Sequence, residues 1–340
     1  MKKSKISNPR LLSVGRTAGN TPFSTSVAGV PTLFITDVHF GTSVHPEAVM
    51  GLNEYNRKVA KSRIERTVKW FIEWALREAN GKPFEGCIFA LGGDMAESGT
   101  IEQVRGGTAM GAINDLAHVL YQQAKRLKEV FGEVVIFGVA GNHGEGGKRL
   151  PASRAVEFNS DTEVYAQLER FAAEDEFIQV CYSRYAFEQV WYVYDVPYLL
   201  VHGDMMTPKS MAKSHLVAEA MRYRDKKIEQ MLPAYPGIHN AIMLYGHFHT
   251  AIESVNLGFI AGGSLKGWDD WARKVCLVAE TPRSQAWITH PITGISSTVE
   301  IFAHDPRAVE DSNPQEMPAI RPMNAKFAQQ SFDCDARLTG

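Results

Sequence analysis

The chain has 340 residues, 44% of them hydrophobic and 22% charged, with a formal net charge of −2. That length suits one large α/β domain with a core able to hold a buried site without disulfide staples. The near-neutral charge gives no support to a protein that coats nucleic acid with a continuous basic face, while leaving room for a local basic groove. No apolar run approaches the roughly 18 residues of a transmembrane helix, so no membrane partner is expected. Cys87, Cys181, Cys276 and Cys334 form no CxxC pair. The first three sit in apolar runs and read as reduced core residues, in keeping with a cytoplasmic location.

Residues 1–30 are rich in Ser, Thr and Gly and carry Lys2, Lys3, Lys5, Arg10 and Arg16 without an acid. Too few bulky apolar groups are present to offset ordering entropy, so a flexible N-terminal arm is expected. From residue 31 to about 304 the chain alternates compact apolar runs with helix-period segments. Thr32–Thr36, Cys87–Leu91, Val134–Phe137, Tyr198–Val201 and Ile242–Tyr245 read as buried strands. Helices are expected where Val59, Ile64, Val68, Phe71, Ile72, Ala75 and Leu76 mark one apolar face. Ile113, Leu116, Leu120, Ala124, Leu127 and Phe131 mark a second. Val164, Leu168, Phe171 and Ala172 mark a third, and a more polar helix covers about 209–231. Further strands are predicted at 177–182, 190–195, 251–261 and 275–280. Residues 305–340, with Pro306, Pro314, Pro318 and Pro322, read as a loosely structured C-terminal tail.

Each of the five strong strands ends in a polar cluster: Asp37-Val-His39, Gly93-Asp94, Gly141-Asn142-His143, His202-Gly203-Asp204 and Gly246-His247-Phe248-His249. Open α/β sheets bind ligands beyond the carboxyl ends of their strands, so these side chains are expected on one rim. Carboxylates, imidazoles and one amide oxygen together suit Mn, Fe or Zn, whereas all-oxygen ligation would favour Mg or Ca. Two divalent ions need an anionic bridge, for which Asp94 is the natural candidate. The alternate spacing of Asp37/His39 and of His247/His249 lets both members of each pair reach the same small volume.

The ordered series DxH, GD, GNH, H and GHxH resembles the signature of the calcineurin-like metallophosphoesterase superfamily, over roughly residues 30–280. The stretch Gly262–Asp270 also resembles phage and prophage members. The resemblance implies a two-sheet β-sandwich flanked by helices in four layers, with a dinuclear site at strand ends. It implies that Asp37, His39 and His249 hold one metal and that Asn142, His202 and His247 hold the other. Asp94 would bridge them, with Mn as the expected ion and Fe, Zn or Mg as alternatives. His143 would contact the scissile phosphate or protonate the leaving oxygen. Members commonly continue GNH with an acid, whereas this chain has Gly144 and then Glu145, leaving Glu145 or Asp204 to orient His143.

Two such metals acidify a shared water, making hydroxide available for in-line attack on phosphorus near neutral pH. The expected function is therefore a dinuclear-metal phosphodiesterase or nuclease acting on DNA or RNA. A phosphomonoesterase or nucleotide hydrolase, and a non-catalytic partner-binding subunit of the same fold, are the alternatives. Lys148, Arg149 and Arg154 follow the GNH cluster and are candidates for binding flanking phosphates. Lys209, Lys213, Arg222, Arg224, Lys226 and Lys227 are candidates for a polynucleotide groove, and Trp268 and Trp271 for base stacking or core packing.

Overall fold

The apolar runs become the central strands of two mixed sheets in an α/β protein, described by a computed structural model over residues 13–14, 26–97, 109–145 and 152–303. In chain order the strands are β1 (Ser13–Val14), β2 (Val30–Ile35), β3 (Cys87–Leu91), β4 (Val134–Gly138), β5 (Ile178–Tyr182) and β6 (Glu188–Val193). They continue with β7 (Val196–Val201), β8 (Ile242–Tyr245), β9 (Ile252–Ser254), β10 (Phe259–Ala261), β11 (Arg283–His290) and β12 (Gly294–Phe302). The helices are α1 (Arg57–Ala79), α2 (Ala109–Phe131), α3 (Ala152–Ala155), α4 (Ser160–Ala172), α5 (Lys213–Met231) and α6 (Asp270–Lys274).

One sheet runs β12-β11-β2-β3-β4-β5, the other β1-β6-β7-β8-β10-β9. In the first, β2, β3, β4 and β5 are parallel. Ile35 pairs with Leu91, and Leu91 with Gly138, so three strands end level and release their following loops at one height. In the second, β7, β8 and β10 are parallel. Five of these parallel strands, β2, β3, β4, β7 and β8, carry the polar clusters.

Side-chain alternation explains the packing. In β2, β3 and β4 one face (Leu33, Ile35, Phe89, Leu91, Ile136) shares a core with the apolar stripes of α1, α2 and α4. The opposite face (Phe34, Ile88, Ala90, Val135, Phe137) shares a core with Trp191, Tyr198, Leu200, Leu244 and Ile260 of the other sheet. The remaining face of that second sheet, with Leu199, Val201, Met243 and Phe259, packs with Ala220, Ile228 and Met231 of α5. Phe137 stacks on Trp191 at 4.3 Å between ring centroids, and Trp191 in turn on Tyr198 at 5.6 Å. Both sheet faces of these strands are thus largely apolar, and the charged and imidazole side chains fall beyond their ends. α1 starts at Asn56, whose side chain accepts from the Lys58 and Val59 amides, and stops at left-handed Asn80.

Several expectations change. Residues 275–280 form no strand: α6 ends at Lys274 and the chain turns there, with Cys276 at φ 60°. Cys276 and Val278 are exposed, so Cys276 is not a core residue as Cys87 is. The apolar run is too short to be a strand when no neighbour pairs with it. Residues 251–261 divide into β9 and β10, antiparallel around a short turn. Phe171 is largely exposed at the edge of α4 rather than on its apolar face. The hairpin β11–β12 escapes a hydrophobicity reading because β11 buries Ser284, Gln285 and Thr289 along with Ala286, Trp287 and Ile288. Within the N-terminal arm, Ser13–Val14 pairs parallel with Tyr192–Val193 of β6. The chain divides into two units, Met1–His304 and Asp305–Gly340; the second, which holds the expected tail, lies outside the described residues. Among the described residues no helix is long and apolar enough to cross a membrane.

Candidate metal centre

The loops after β2, β3 and β4 meet those after β7 and β8 on one rim. Eight of the residues singled out from the sequence converge there: Asp37, His39, Asp94, Asn142, His143, His202, His247 and His249. Ligand atoms of Asp37, His39 and His249 lie within 4.8 Å of one another, as do those of Asp94, His202 and His247, and those of His39, Asp94 and His143. His249 Nε2 is 3.4 Å from Asp37 Oδ1 and 3.1 Å from His39 Nε2. His202 Nε2 is 3.2 Å from Asp94 Oδ2 and 3.0 Å from Asn142 Oδ1, which also lies 3.0 Å from His247 Nδ1. His39 Nε2 is 4.0 Å from both Asp37 Oδ1 and Asp94 Oδ2, so Asp94 stands between the two groups.

The backbone is bent to achieve this. Asp37, His39, Asp94, His247 and His249 all have positive φ, between 48° and 68°. A left-handed conformation costs a non-glycine residue about 1–3 kcal/mol, and such strain concentrates at functional sites. Two glycines make the crowding possible. A Cβ on Gly141 would collide with the backbone nitrogen and carboxylate of Asp94, and one on Gly246 with Thr36 and the Asp37 carboxylate.

Second partners orient the imidazoles. His39 Nδ1 lies 3.1 Å from Glu97 Oε2, and His202 Nδ1 2.9 Å from the Gly92 carbonyl, so each ring turns Nε2 inward. Asp37 accepts from the His247 amide at 3.0 Å and from the Thr36 hydroxyl at 2.7 Å. Asp94 Oδ1 accepts from the His143 amide at 2.7 Å. Burial alone would raise the Asp37 carboxyl, but the bond and charge of His249 bring it down to about 2. Burial and the Lys266 charge hold His39 down at about 4, which keeps it neutral and able to donate a lone pair. Burial lowers His247 as well. His202 is pushed the other way: against the effect of burial, the charge and hydrogen bond of Asp94 raise it to about 10.

His143 is the most open of the cluster, its side chain 40% exposed. Its Nδ1 lies 3.0 Å from Glu97 Oε1, so an acid beside it is Glu97, from the loop after β3, which no motif had signalled. That bond raises the His143 pKa against burial, and the Asp94 charge adds to it. Glu97, which burial alone would raise, is brought down to about 2 by its bonds to His143 and His39.

Two further residues were not signalled by any motif. Asp161, fully buried in the first turn of α4, accepts the Met95 and Ala96 amides on Oδ1 at 3.0 and 2.9 Å and the Gly141 amide on Oδ2 at 2.9 Å. It ties the Asp94 loop to the Asn142 loop. Asn159, the α4 cap, donates from Nδ2 to the Gly141 carbonyl at 2.7 Å. An Asn followed two residues later by Asp is ordinary helix-start chemistry, so neither stands out from sequence.

The candidates for substrate contact fare differently. Lys148 and Arg149 lie outside the described residues. Arg154, on α3, is exposed and sets its guanidinium 4.5 Å over the Phe158 ring. Along the basic stretch, Lys213 pairs with Glu280, Arg222 with Glu219, Arg224 with Asp225 and Lys227 with Glu188, which neutralises much of it. Trp268 packs against the helix-side core and donates to the Leu277 carbonyl, while Trp271 is exposed.

The donor set fits divalent cations: neutral or displaceable imidazole nitrogens, buried carboxylates and an amide oxygen converge with their other atoms already bonded. No protein-family model matches the chain, and no curated protein matches it.

Proposed function

We propose that the protein is a metal-dependent phosphoesterase of the calcineurin-like type, acting on nucleic-acid phosphodiesters. One observation carries the reading: two ligand groups, one around Asp37 and one around His202, flank the single buried carboxylate of Asp94. In this reading the two sheets and their helices are the four-layer scaffold of that superfamily. Asp37, His39 and His249 would hold one cation, Asn142, His202 and His247 a second, and Asp94 both. Manganese suits this mixed oxygen and nitrogen set, as do iron and zinc. When bound, such cations acidify water and draw charge from phosphoryl oxygens.

The chain's own residues account for the rest. His143, open to solvent and with its protonated form favoured by Glu97, is placed to give its Nε2 proton to the departing oxygen. Glu97 stays ionised and fixes which nitrogen of His143 faces outward. Asp161 and Asn159 hold the two loops that present Asp94 and Asn142.

A phosphomonoester substrate is the second reading, favoured by the pairing of the α5 cations with acids, which leaves little free positive charge there for a polynucleotide. The test is to load the protein with Mn²⁺ and offer bis-p-nitrophenyl phosphate, p-nitrophenyl phosphate and labelled single- and double-stranded DNA. Diester and DNA cleavage supports the first reading. Turnover of the monoester alone supports the second. No turnover with Mn²⁺, Fe²⁺ or Zn²⁺ overturns both.

A further inference from the structure

Lys266 lies beside the metal-ligand cluster, next to Asp37 in space. Its side chain is only 6% exposed. Burying an ammonium carries a desolvation penalty of several kcal/mol even after relaxation, so its placement requires a reason. The segment that carries it is held by unusual means. Arg63, buried in α1, donates from Nη1 to the carbonyls of Leu265 and Lys266 at 2.8 and 2.7 Å and from Nη2 to Asn53 Oδ1 at 2.8 Å. Asn53 donates in turn to the carbonyls of Lys266 and Trp268 at 3.0 and 2.7 Å. On the other side, the Ser264 hydroxyl donates to the Asp37 carbonyl at 2.8 Å and accepts from the Lys266 amide at 3.1 Å. The backbone of Lys266 is thereby locked to the backbone of Asp37.

The ammonium itself is under-used. Its polar partner among the described residues is Asp269 Oδ2, at 2.7 Å, whereas an ammonium has three N–H donors. The Lys266 amide lies 3.4 Å from the Asp37 carbonyl, which places the residue directly behind the first ligand group. Two divalent cations with His143 and Lys266 would outweigh the carboxylates of Asp37, Asp94, Glu97 and Asp269. The loaded site would keep a positive excess that an oxyanion neutralises.

We propose that Lys266 is a substrate-binding residue, its ammonium donating to a non-bridging oxygen of the phosphoryl group, with Asp269 aiming it. This rests on the phosphoesterase reading of the same site. A stem pinned at its backbone and a head with spare donors fit anion capture better than a fold-stabilising pair. A pair kept for stability alone would not need a dedicated arginine clamp on its backbone.

The experiment is titration calorimetry of inorganic phosphate into Mn²⁺-loaded wild-type protein, Lys266→Met, Lys266→Arg and the charge-balanced double variant Lys266→Met/Asp269→Asn. Metal content and thermal melting are measured on each sample. We expect the dissociation constant for phosphate to rise at least tenfold in both methionine variants, at unchanged metal content, with partial recovery in Lys266→Arg. With a chromogenic ester, KM should rise more than kcat falls. The double variant guards against a fold defect from leaving Asp269 without its counter-ion. Phosphate affinity within twofold of wild type in any folded, metal-loaded methionine variant overturns the assignment, as does a wild-type protein that takes up metal yet binds no phosphate. If phosphate binding depends on Lys266 but no ester is ever hydrolysed, the anion site stands and the enzymatic reading falls.

Discussion

Glu97 holds two histidines at once, His143 at 3.0 Å through Oε1 and His39 at 3.1 Å through Oε2. One carboxylate therefore fixes both the ring proposed to donate a proton and a ring proposed to hold a cation. Glu97→Gln should lower the pKa of His143, because the bond that raises it loses its charge. The proton would then leave at lower pH, so the fall of kcat on the alkaline side should move toward acid. A kcat–pH profile unchanged from wild type would separate Glu97 from the proposed chemistry. Metal affinity should drop about 10–100-fold, as for other outer partners of a ligating histidine.

His143→Ala should retain metal, since its neighbours supply the remaining ligands. Turnover should fall by about 10²–10⁴-fold, the usual worth of a positioned general acid. A p-nitrophenolate leaving group, which needs little protonation, should suffer less than an alkyl phosphate ester. Equal losses on the two substrates would argue against proton donation.

Asp161→Ala leaves three buried amides without an acceptor. Each costs about 1–3 kcal/mol, so stability should fall by about 3 kcal/mol or more. Urea unfolding measures the loss. Because the Asp94 and Asn142 loops are no longer tied, metal content should fall in molecules that are still folded. A destabilised variant with full metal affinity would show that the latch serves the fold alone.

Gly141→Ala pushes a methyl group into Asp94, the carboxylate shared by both ligand groups. We expect at least a tenfold loss of affinity for Mn²⁺ together with a lower melting temperature, because the backbone nitrogen of Asp94 must shift as well as its carboxylate. Unaltered binding would mean that Asp94 can move aside, which would weaken its assignment as the bridge.

Metal uptake should release protons. His202, raised to about 10 by Asp94, is protonated at neutral pH and must give up that proton to ligate. Below that value, apparent affinity should rise about tenfold per pH unit for each proton displaced. The sign is fixed by mass action: raising pH removes the competitor. Calorimetry in buffers of different ionisation enthalpy counts the protons, and a count of zero would refute this role for His202. At a metal concentration of about 100 times its dissociation constant, the loaded protein should also gain about 2.7 kcal/mol in stability, lost again on chelation.

Much of this centre is legible in the sequence because strand ends announce themselves. Thr32–Thr36 and Ile242–Tyr245 are short, mostly apolar and lead directly into an Asp or Gly-His cluster, and both sheet faces of such strands are indeed buried. Glu97 is not legible in the same way. It lies three residues beyond Asp94 in a loop with no motif, and only the fold brings it to His143. Asp161 is disguised as a helix-start acid, and Lys266 lies in a glycine-rich stretch whose proximity to Asp37 depends on β8 and β10 pairing in parallel. The strand at 275–280 fails for the opposite reason. Its residues have the right character, but strands need partners as well as composition. β11 takes the place beside β2, and the apolar side chains of the turn remain in water.

The site draws on both sheets, and its ligands run from Asp37 to His249 along the chain. No amino-terminal fragment of nascent protein that stops short of His249 can therefore hold the complete set. Throughout most of synthesis on the ribosome, Asp37, His39 and Asp94 wait for partners not yet made. In the proposed reading, cofactor acquisition would consequently be a late event that follows closure of one sheet on the other. The ion captured would then reflect which first-row cation is abundant at that moment, since several suit this mixed set of donors.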